Sequence, residues 1–241
     1  MKDIRIVLGA SIALLCACSP TEPAKGSGDV DPDTALTKIA PVPLSAYCRT
    51  ESGRVIAVGV ADAEMQSRLT ILDKGKSTTS ERQSTQSVTS IDLATGGQPP
   101  IQLRLEPSSP ETGGWTPRVT SITEGGATET CLWRARTRIF ALSETTAIEA
   151  FRNEAGELSL ELRKANVPRS KIHTITGGRE ETGEASVTMV FDQGPERYIV
   201  HAPAGESVRL ARWRDGVRQS IEALPMHIVG DDPEASGSPL R

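Results

Sequence analysis

Over much of the chain, hydrophobic and polar residues alternate one by one in short runs. Leu158, Leu160 and Leu162, for example, alternate with Ser159 and Glu161. Further runs that alternate, or that are rich in β-branched residues, cover residues 54–60, 68–71, 101–106, 187–191, 198–202, 207–212 and 217–221. A period of two with a polar outer face is typical of half-buried antiparallel strands. The pattern therefore predicts an all-β fold.

Turn-forming residues separate these runs, as in segments 51–53, 153–156 and 193–196. The strongest turn signal is Asp215-Gly216, because a two-residue type I′ turn needs a positive φ at both positions. Polar segments at 74–100, 107–114 and 124–130 are predicted to be loops, the first of them long, mobile and interrupted by one strand at 88–93. No repeat with a firm period is found. We predict a single antiparallel barrel or sandwich domain over residues 44–228.

The alternation is absent from both ends of the chain. Residues 6–17 form an uncharged apolar run of about 12 residues after a short start that carries Lys2 and Arg5. This run suits a signal peptide at 1–17 and is too short for a spanning helix, which needs about 20 residues. Residues 18–43 are rich in Pro, Gly, Asp and Ser and cannot bury enough surface to offset their ordering entropy. We predict a flexible tether there and a disordered tail at 229–241.

The end of the apolar run, Leu15-Cys16-Ala17-Cys18, resembles a bacterial lipobox, with Leu at −3, a small residue at −1 and Cys at +1. The resemblance implies cleavage before Cys18, attachment of diacylglycerol to its sulfur and acylation, for instance with palmitate, of its freed amine. Three acyl chains hold a protein at a membrane far more firmly than one chain, which binds reversibly. Ser19 in place of Asp favours the outer membrane in the families resembled. We therefore expect a lipid-anchored protein of the bacterial cell envelope; the alternative is a secreted protein in which Cys18 is incidental.

Cys48 and Cys131 remain once Cys16 has left with the signal peptide and Cys18 has taken lipid. An even pair in an exported chain predicts a disulfide. The alternative, a metal or redox pair, lacks C-x-x-C spacing and neighbouring histidines. A formal charge of −4 over 241 residues offers no general attraction to nucleic acid.

Three arginines alternate along residues 131–142, which are predicted to form one strand: Arg134, Arg136 and Arg138. Same-face neighbours in a strand lie about 6.5–7 Å apart. A row at that spacing is an anion-binding candidate for phosphates, lipid head groups or carboxylates of a partner. The alternative is a solvated face whose arginines pair with glutamates of neighbouring strands, and this is the commoner arrangement.

Catalytic and metal-binding signals are weak. His173, His201 and His227 lack the short spacing of a metal pair, although scattered histidines can still meet in space. No G-x-S-x-G or S-x-x-K motif occurs, and Glu180-Glu181 lies in polar sequence, as does the acidic pair 231–232. We therefore predict no enzyme activity, no metal and no cofactor. A non-catalytic role is expected, with an envelope protein, glycan or lipid as partner.

Two further resemblances are local, and neither covers more than a fifth of the chain. Tyr47-Cys48, followed by a glycine turn at Gly53, is similar to the first strand of small periplasmic lysozyme-inhibitor barrels. Residues 187–200 resemble strands of small secreted bacterial proteins with no assigned activity. The first resemblance implies an alternative function, inhibition of a hydrolase such as a lysozyme or protease through a protruding loop such as 74–100. A third and less favoured hypothesis is a hydrolase with a site assembled from scattered residues.

Overall fold

The computed structural model of the protein describes residues 40–74, 76–106, 118–132, 134, 136–164 and 172–230. All of them lie in one compact unit. They form these strands: β1 (Val42–Thr50), β2 (Val55–Gly59), β3 (Gln66–Asp73), β4 (Lys76–Gln86), β5 (Ser90–Thr95), β6 (Gln98–Glu106), β7 (Arg118–Glu124), β8 (Ala127–Leu132), β9 (Thr137–Leu142), β10 (Thr146–Arg152), β11 (Leu158–Lys164), β12 (His173–Thr182), β13 (Ser186–Gln193), β14 (Glu196–Pro203), β15 (Val208–Arg214), β16 (Val217–Leu224) and β17 (Met226–Val229). The all-β prediction is confirmed. None of the described residues belongs to a helix long and apolar enough to cross a membrane.

The first eight strands close into an antiparallel barrel. Each strand from β1 to β8 pairs with the next, and β8 returns to β1 through Arg49↔Leu132 and Thr50↔Cys131. The predicted disulfide between Cys48 and Cys131 is confirmed, with the two Cα atoms 5.3 Å apart. It covalently joins the two strands that close the barrel.

Strands β9 to β17 form a second antiparallel ring, in which β17 pairs back with β9. Only Pro225 separates β16 from β17, and it acts as a corner because proline has no N–H for a continuous ladder. A second corner lies at Gly177, where φ is +78° and β12 changes its partner from β11 to β13. Counting β16 and β17 as one bent strand, this ring also has eight members. The architecture therefore repeats although the sequence shows no firm repeat.

Three hydrophobic cores hold this arrangement together. One fills the first barrel and includes Cys48 and Cys131, and one fills the second barrel around Phe191. The third lies between the barrels, where the outer face of β1–β3 packs on β9, β10 and β17. At its centre the rings of Tyr47 and Phe140 stack with centroids 3.9 Å apart. Strands β2 and β9 are consequently buried on both faces.

Several local predictions need correction. The predicted long loop at 74–100 is wrong: most of it is β4, β5 and the start of β6. Threonine suits strands because its side chain is β-branched, and Thr70 Oγ1 lies 3.2 Å from Thr79 Oγ1 across β3 and β4. The predicted loop at 124–130 reduces to a tight turn at Gly125-Gly126.

The predicted single strand at 131–142 is also wrong. It is split between β8 and β9, because the chain crosses there from the first barrel to the second. The turn at Asp215-Gly216 is confirmed, with φ of +50° and +76°. Residues 42–43 already belong to β1 and Val229 to β17, so the strands extend slightly beyond the predicted domain. The predictions for residues 1–39, 107–114 and 231–241 lie outside the described residues.

Candidate functional site

A buried charge cluster joins the two barrels. Arg49 follows Cys48 on β1, so its side chain leaves the barrel on the outer face and enters the interface. Its Nη1 lies 3.0 Å from Glu161 Oε2 and 3.3 Å from Glu149 Oε2, and all three side chains are buried. The two carboxylates come from neighbouring strands of the second barrel, where Glu149 and Glu161 stand opposite each other. Arg49 therefore bridges them across the interface.

Two more arginines complete this cluster. Arg134, in the crossing segment, places Nη1 3.0 Å from Glu149 Oε2 and Nη2 2.5 Å from Glu161 Oε2. Its guanidinium also lies 3.8 Å from the centroid of the Phe151 ring, a cation–π contact. Arg163 donates from Nε to Glu161 Oε1 at 2.7 Å. The interface thus carries charged groups from both barrels and from the segment that connects them.

The electrostatics follow from this geometry. Burial alone would raise the pKa of the Glu161 carboxyl, but three guanidinium groups outweigh it and lower the pKa to about 2. These groups belong to Arg163, Arg49 and Arg134. Nearby, burial raises the pKa of the Tyr47 hydroxyl. At neutral pH the Glu161 carboxylate is therefore ionised and lies near a neutral Tyr47 hydroxyl. Its ion pair with Arg49 connects the two barrels.

The three arginines of the predicted row have different surroundings. Arg134 contacts Glu149 and Glu161, as described above. Arg138 is buried on β9, where it contacts the Glu180 carboxylate and donates to the backbone oxygen of Gly230. Arg136 lies in a turn between the strands and has no carboxylate partner in the described part of the chain. Two of the three therefore pair with glutamates of this chain, and anion binding by the row stays a prediction.

The sequence did not reveal Arg49, Glu149, Glu161 and Arg163 as a cluster. Alternation with leucines predicts a solvated outer face for Glu161, yet the first barrel covers that face. The one available signal was β2, whose sequence VIAVG is apolar on both faces and so cannot have a solvated side.

The histidines lie apart. His201 Nδ1 is 2.8 Å from Thr188 Oγ1, His227 Nδ1 is 3.2 Å from the Pro225 oxygen, and His173 stands beside Tyr198. Burial lowers the pKa of His227. Among the described residues, no three His, Cys, Asp or Glu side chains come together in a way that could hold a metal ion.

A groove of about 490 Å³ opens where the amino-terminal segment joins the body. It lies between the start of β1, the end of β17 and two turns of the second barrel. Its lining residues are Pro41, Pro43, Thr182–Val187, Ala202–Gly205, His227 and Val229. Proline, alanine and valine dominate, and within the described part of the lining Glu184 is the one residue with an acidic or strongly basic side chain. Its volume is in the range of ligand sites.

The turn between β2 and β3 extends this surface. Val60 donates its N–H to the oxygen of Pro43, a lining residue of the groove, at 2.8 Å. Val60 is 54% exposed and Met65 46% exposed. Asp62 Oδ1 accepts two backbone N–H groups of the same turn at 2.9 and 2.8 Å, and Met65 is held at a φ of +61°, which is uncommon outside glycine. We call the groove together with residues 60–65 the groove face.

Comparison with known proteins gives no identity: no protein family, no curated protein and no solved structure matches this chain.

Proposed function

We propose that the protein is a lipid-anchored, non-catalytic binding protein of the bacterial envelope, and that the groove face holds its partner. The observation that carries the proposal is the groove itself. It is concave and mostly apolar, Val229 is exposed in its lining, and Val60 and Met65 are exposed on the adjoining turn. Exposed apolar residues that adjoin a cleft are typical of interaction sites.

The disulfide supports the envelope part of the proposal. Disulfides persist in exported proteins and are rare in the cytosol. The groove adjoins Pro41, just after the segment that the lipobox resemblance would connect to acylated Cys18. A tether of about 22 residues spans roughly 25 Å root-mean-square, so a partner bound here would lie close to the membrane that carries the anchor.

In-cell photo-crosslinking tests this proposal. A photoreactive amino acid at Val229 or Met65 should give adducts of defined mass, because both side chains are exposed on the groove face. Val217 is a matched control: it is an aliphatic residue, 62% exposed, at the opposite end of β16 from Pro225. Adducts at all three positions alike, or at none, would contradict the proposal.

A second candidate function is inhibition of a hydrolase. The observation that favours it is the first barrel: it is closed, its disulfide begins at Cys48 directly after Tyr47, and that dipeptide resembles lysozyme-inhibitor barrels. The segment proposed to act as a loop, 74–100, is mostly strand, but the turn between β4 and β5 protrudes. There Val88 is 77% exposed, and Ser87 Oγ accepts the N–H groups of Thr89 and Ser90 at 3.2 and 2.9 Å.

The assay for this candidate is lysozyme turnover of labelled peptidoglycan, titrated with the purified protein. Val88→Asp should weaken inhibition, and Val217→Asp, at a comparably exposed valine, should leave it intact. Full lysozyme activity in the presence of excess protein would rule out lysozyme as the target.

A further inference from the structure

The charges around the groove indicate what kind of partner it accepts. Glu184 is exposed in the groove, and Asp62 and Glu64 are exposed on the adjoining turn. Among the residues that the structure describes, neither lysine nor arginine lines the groove. His227 also lines it, and burial favours the neutral form of its ring. The described lining of the groove and the turn at residues 60–65 therefore carry acidic groups and neither lysine nor arginine.

The backbone of the groove is fixed by hydrogen bonds. Ala204 donates its N–H to the oxygen of Ala185 at 2.7 Å, which joins the two turns of the second barrel. Gly183 donates to the oxygen of Ser186 at 2.8 Å within one of them. A preformed surface binds without the cost of ordering its own loops, so shape and charge both select the partner.

We infer that the groove face accepts a peptide segment of a partner protein that carries aliphatic side chains flanked by lysine or arginine. The inference rests on the proposed function. Aliphatic side chains match the proline, alanine and valine lining, and cationic flanks match Glu184, Asp62 and Glu64. Charge complementarity of this kind chiefly selects partners and speeds their encounter.

Other occupants fit the charges less well. Anionic lipid head groups would meet the carboxylates of Glu184, Asp62 and Glu64. Val229 lines the groove, and the sequence that follows Gly230 begins with Asp231-Asp232, which have the same sign of charge as Glu184. Like charges in proximity are unfavourable, which leaves a cationic segment of another protein.

Nuclear magnetic resonance of the chain from residue 19 to 241 provides the test. The probes are two synthetic heptapeptides with the same leucines and valines, one with lysines and one with glutamates at the remaining positions. The lysine peptide should shift the amide signals of Ala185, Ser186 and Ala204 and bind roughly tenfold more tightly than the glutamate peptide. Glu184→Lys should remove most of that preference, and Glu154→Lys, in the exposed turn between β10 and β11, should leave it unchanged.

Four results would overturn the inference. Equal affinity for both peptides would show that the groove does not select cationic side chains. Unchanged amide signals of the groove residues would show that no peptide binds there. Tight binding to phosphatidylglycerol vesicles through Met65 would assign the face to the membrane, and shifts of the groove amides on removal of residues 231–241 would assign it to the chain itself. If crosslinks form at Val229 in cells while the peptides show no preference, the proposed function stands and only this partner chemistry fails.

Discussion

Replacing Glu161 with glutamine removes a buried negative charge and keeps the shape of the side chain. The pKa of Glu161 falls from its ordinary value of 4.5 to about 2 in the folded protein. That difference corresponds to about 3 kcal/mol of stability at pH 7, since each pKa unit is worth about 1.4 kcal/mol. Removing one partner from a buried ion cluster costs about 3–5 kcal/mol in other proteins. We therefore expect Glu161→Gln to lower the free energy of unfolding by about 3 kcal/mol.

The effect should depend on pH in a defined direction. The pKa of Glu161 is lower in the folded than in the unfolded state. The contribution of its carboxylate to the free energy of unfolding is therefore complete above pH 4.5 and is lost as the pH falls toward 2. The wild-type protein loses this stability on acidification, whereas the glutamine variant has none to lose. The two should therefore differ at pH 7 and converge near pH 2.

Urea unfolding without reductant, followed by tryptophan fluorescence, measures this difference at pH 7 and at pH 3. Glu81→Gln is the control, since its ion pair with Arg68 has both side chains about half exposed; exposed pairs contribute less than about 1 kcal/mol. A loss of under about 0.5 kcal/mol for Glu161→Gln at pH 7, or an equal loss at both pH values, would refute the reasoning.

Three other changes have defined outcomes. The double substitution Cys48→Ser and Cys131→Ser opens a loop with a sequence separation of 83 residues. It should lower the free energy of unfolding, measured with a chemical denaturant, by about 4.5 kcal/mol, and the reduced wild-type protein should behave similarly. Gly178→Ala would place a Cβ against the Phe191 ring at less than van der Waals distance, which should cost about 1–3 kcal/mol, visible as a lower Tm. Cys18→Ala should abolish incorporation of a fatty-acid probe; undiminished labelling would contradict the lipid anchor.

The sequence predicts the strands best where one face is in a barrel and the other in solvent. In β6, Ile101, Leu103 and Leu105 are buried and the residues between them exposed, so the alternation is plain. It fails for β4, where serine and threonine dominate and exposed positions outnumber buried ones. Such a composition is typical of loops, and pairing with β3 along eight residues overrides it.

The two-barrel arrangement and its charge cluster depend on contacts between distant parts of the chain. Arg49 and Glu161 are 112 residues apart in the sequence, and no local pattern connects them. Cys48 and Cys131 are also distant, but only one pairing of exported cysteines remained, so the sequence was sufficient there. The groove could not be predicted either, because two turns of the second barrel, strand β17 and the start of β1 build it together.

The position of the disulfide decides how the body responds to mechanical load on its amino-terminal segment. Tension applied before Val42 first reaches the short parallel ladder in which Val42 and Pro43 pair with β17. If that ladder opens, β1 can be drawn out only as far as residue 47, because Cys48 is covalently held by the strand that closes the first barrel. A pull from a membrane would therefore stop at this bond. The pairs Arg49↔Leu132 and Thr50↔Cys131, which close the first barrel, lie beyond it and would stay in place.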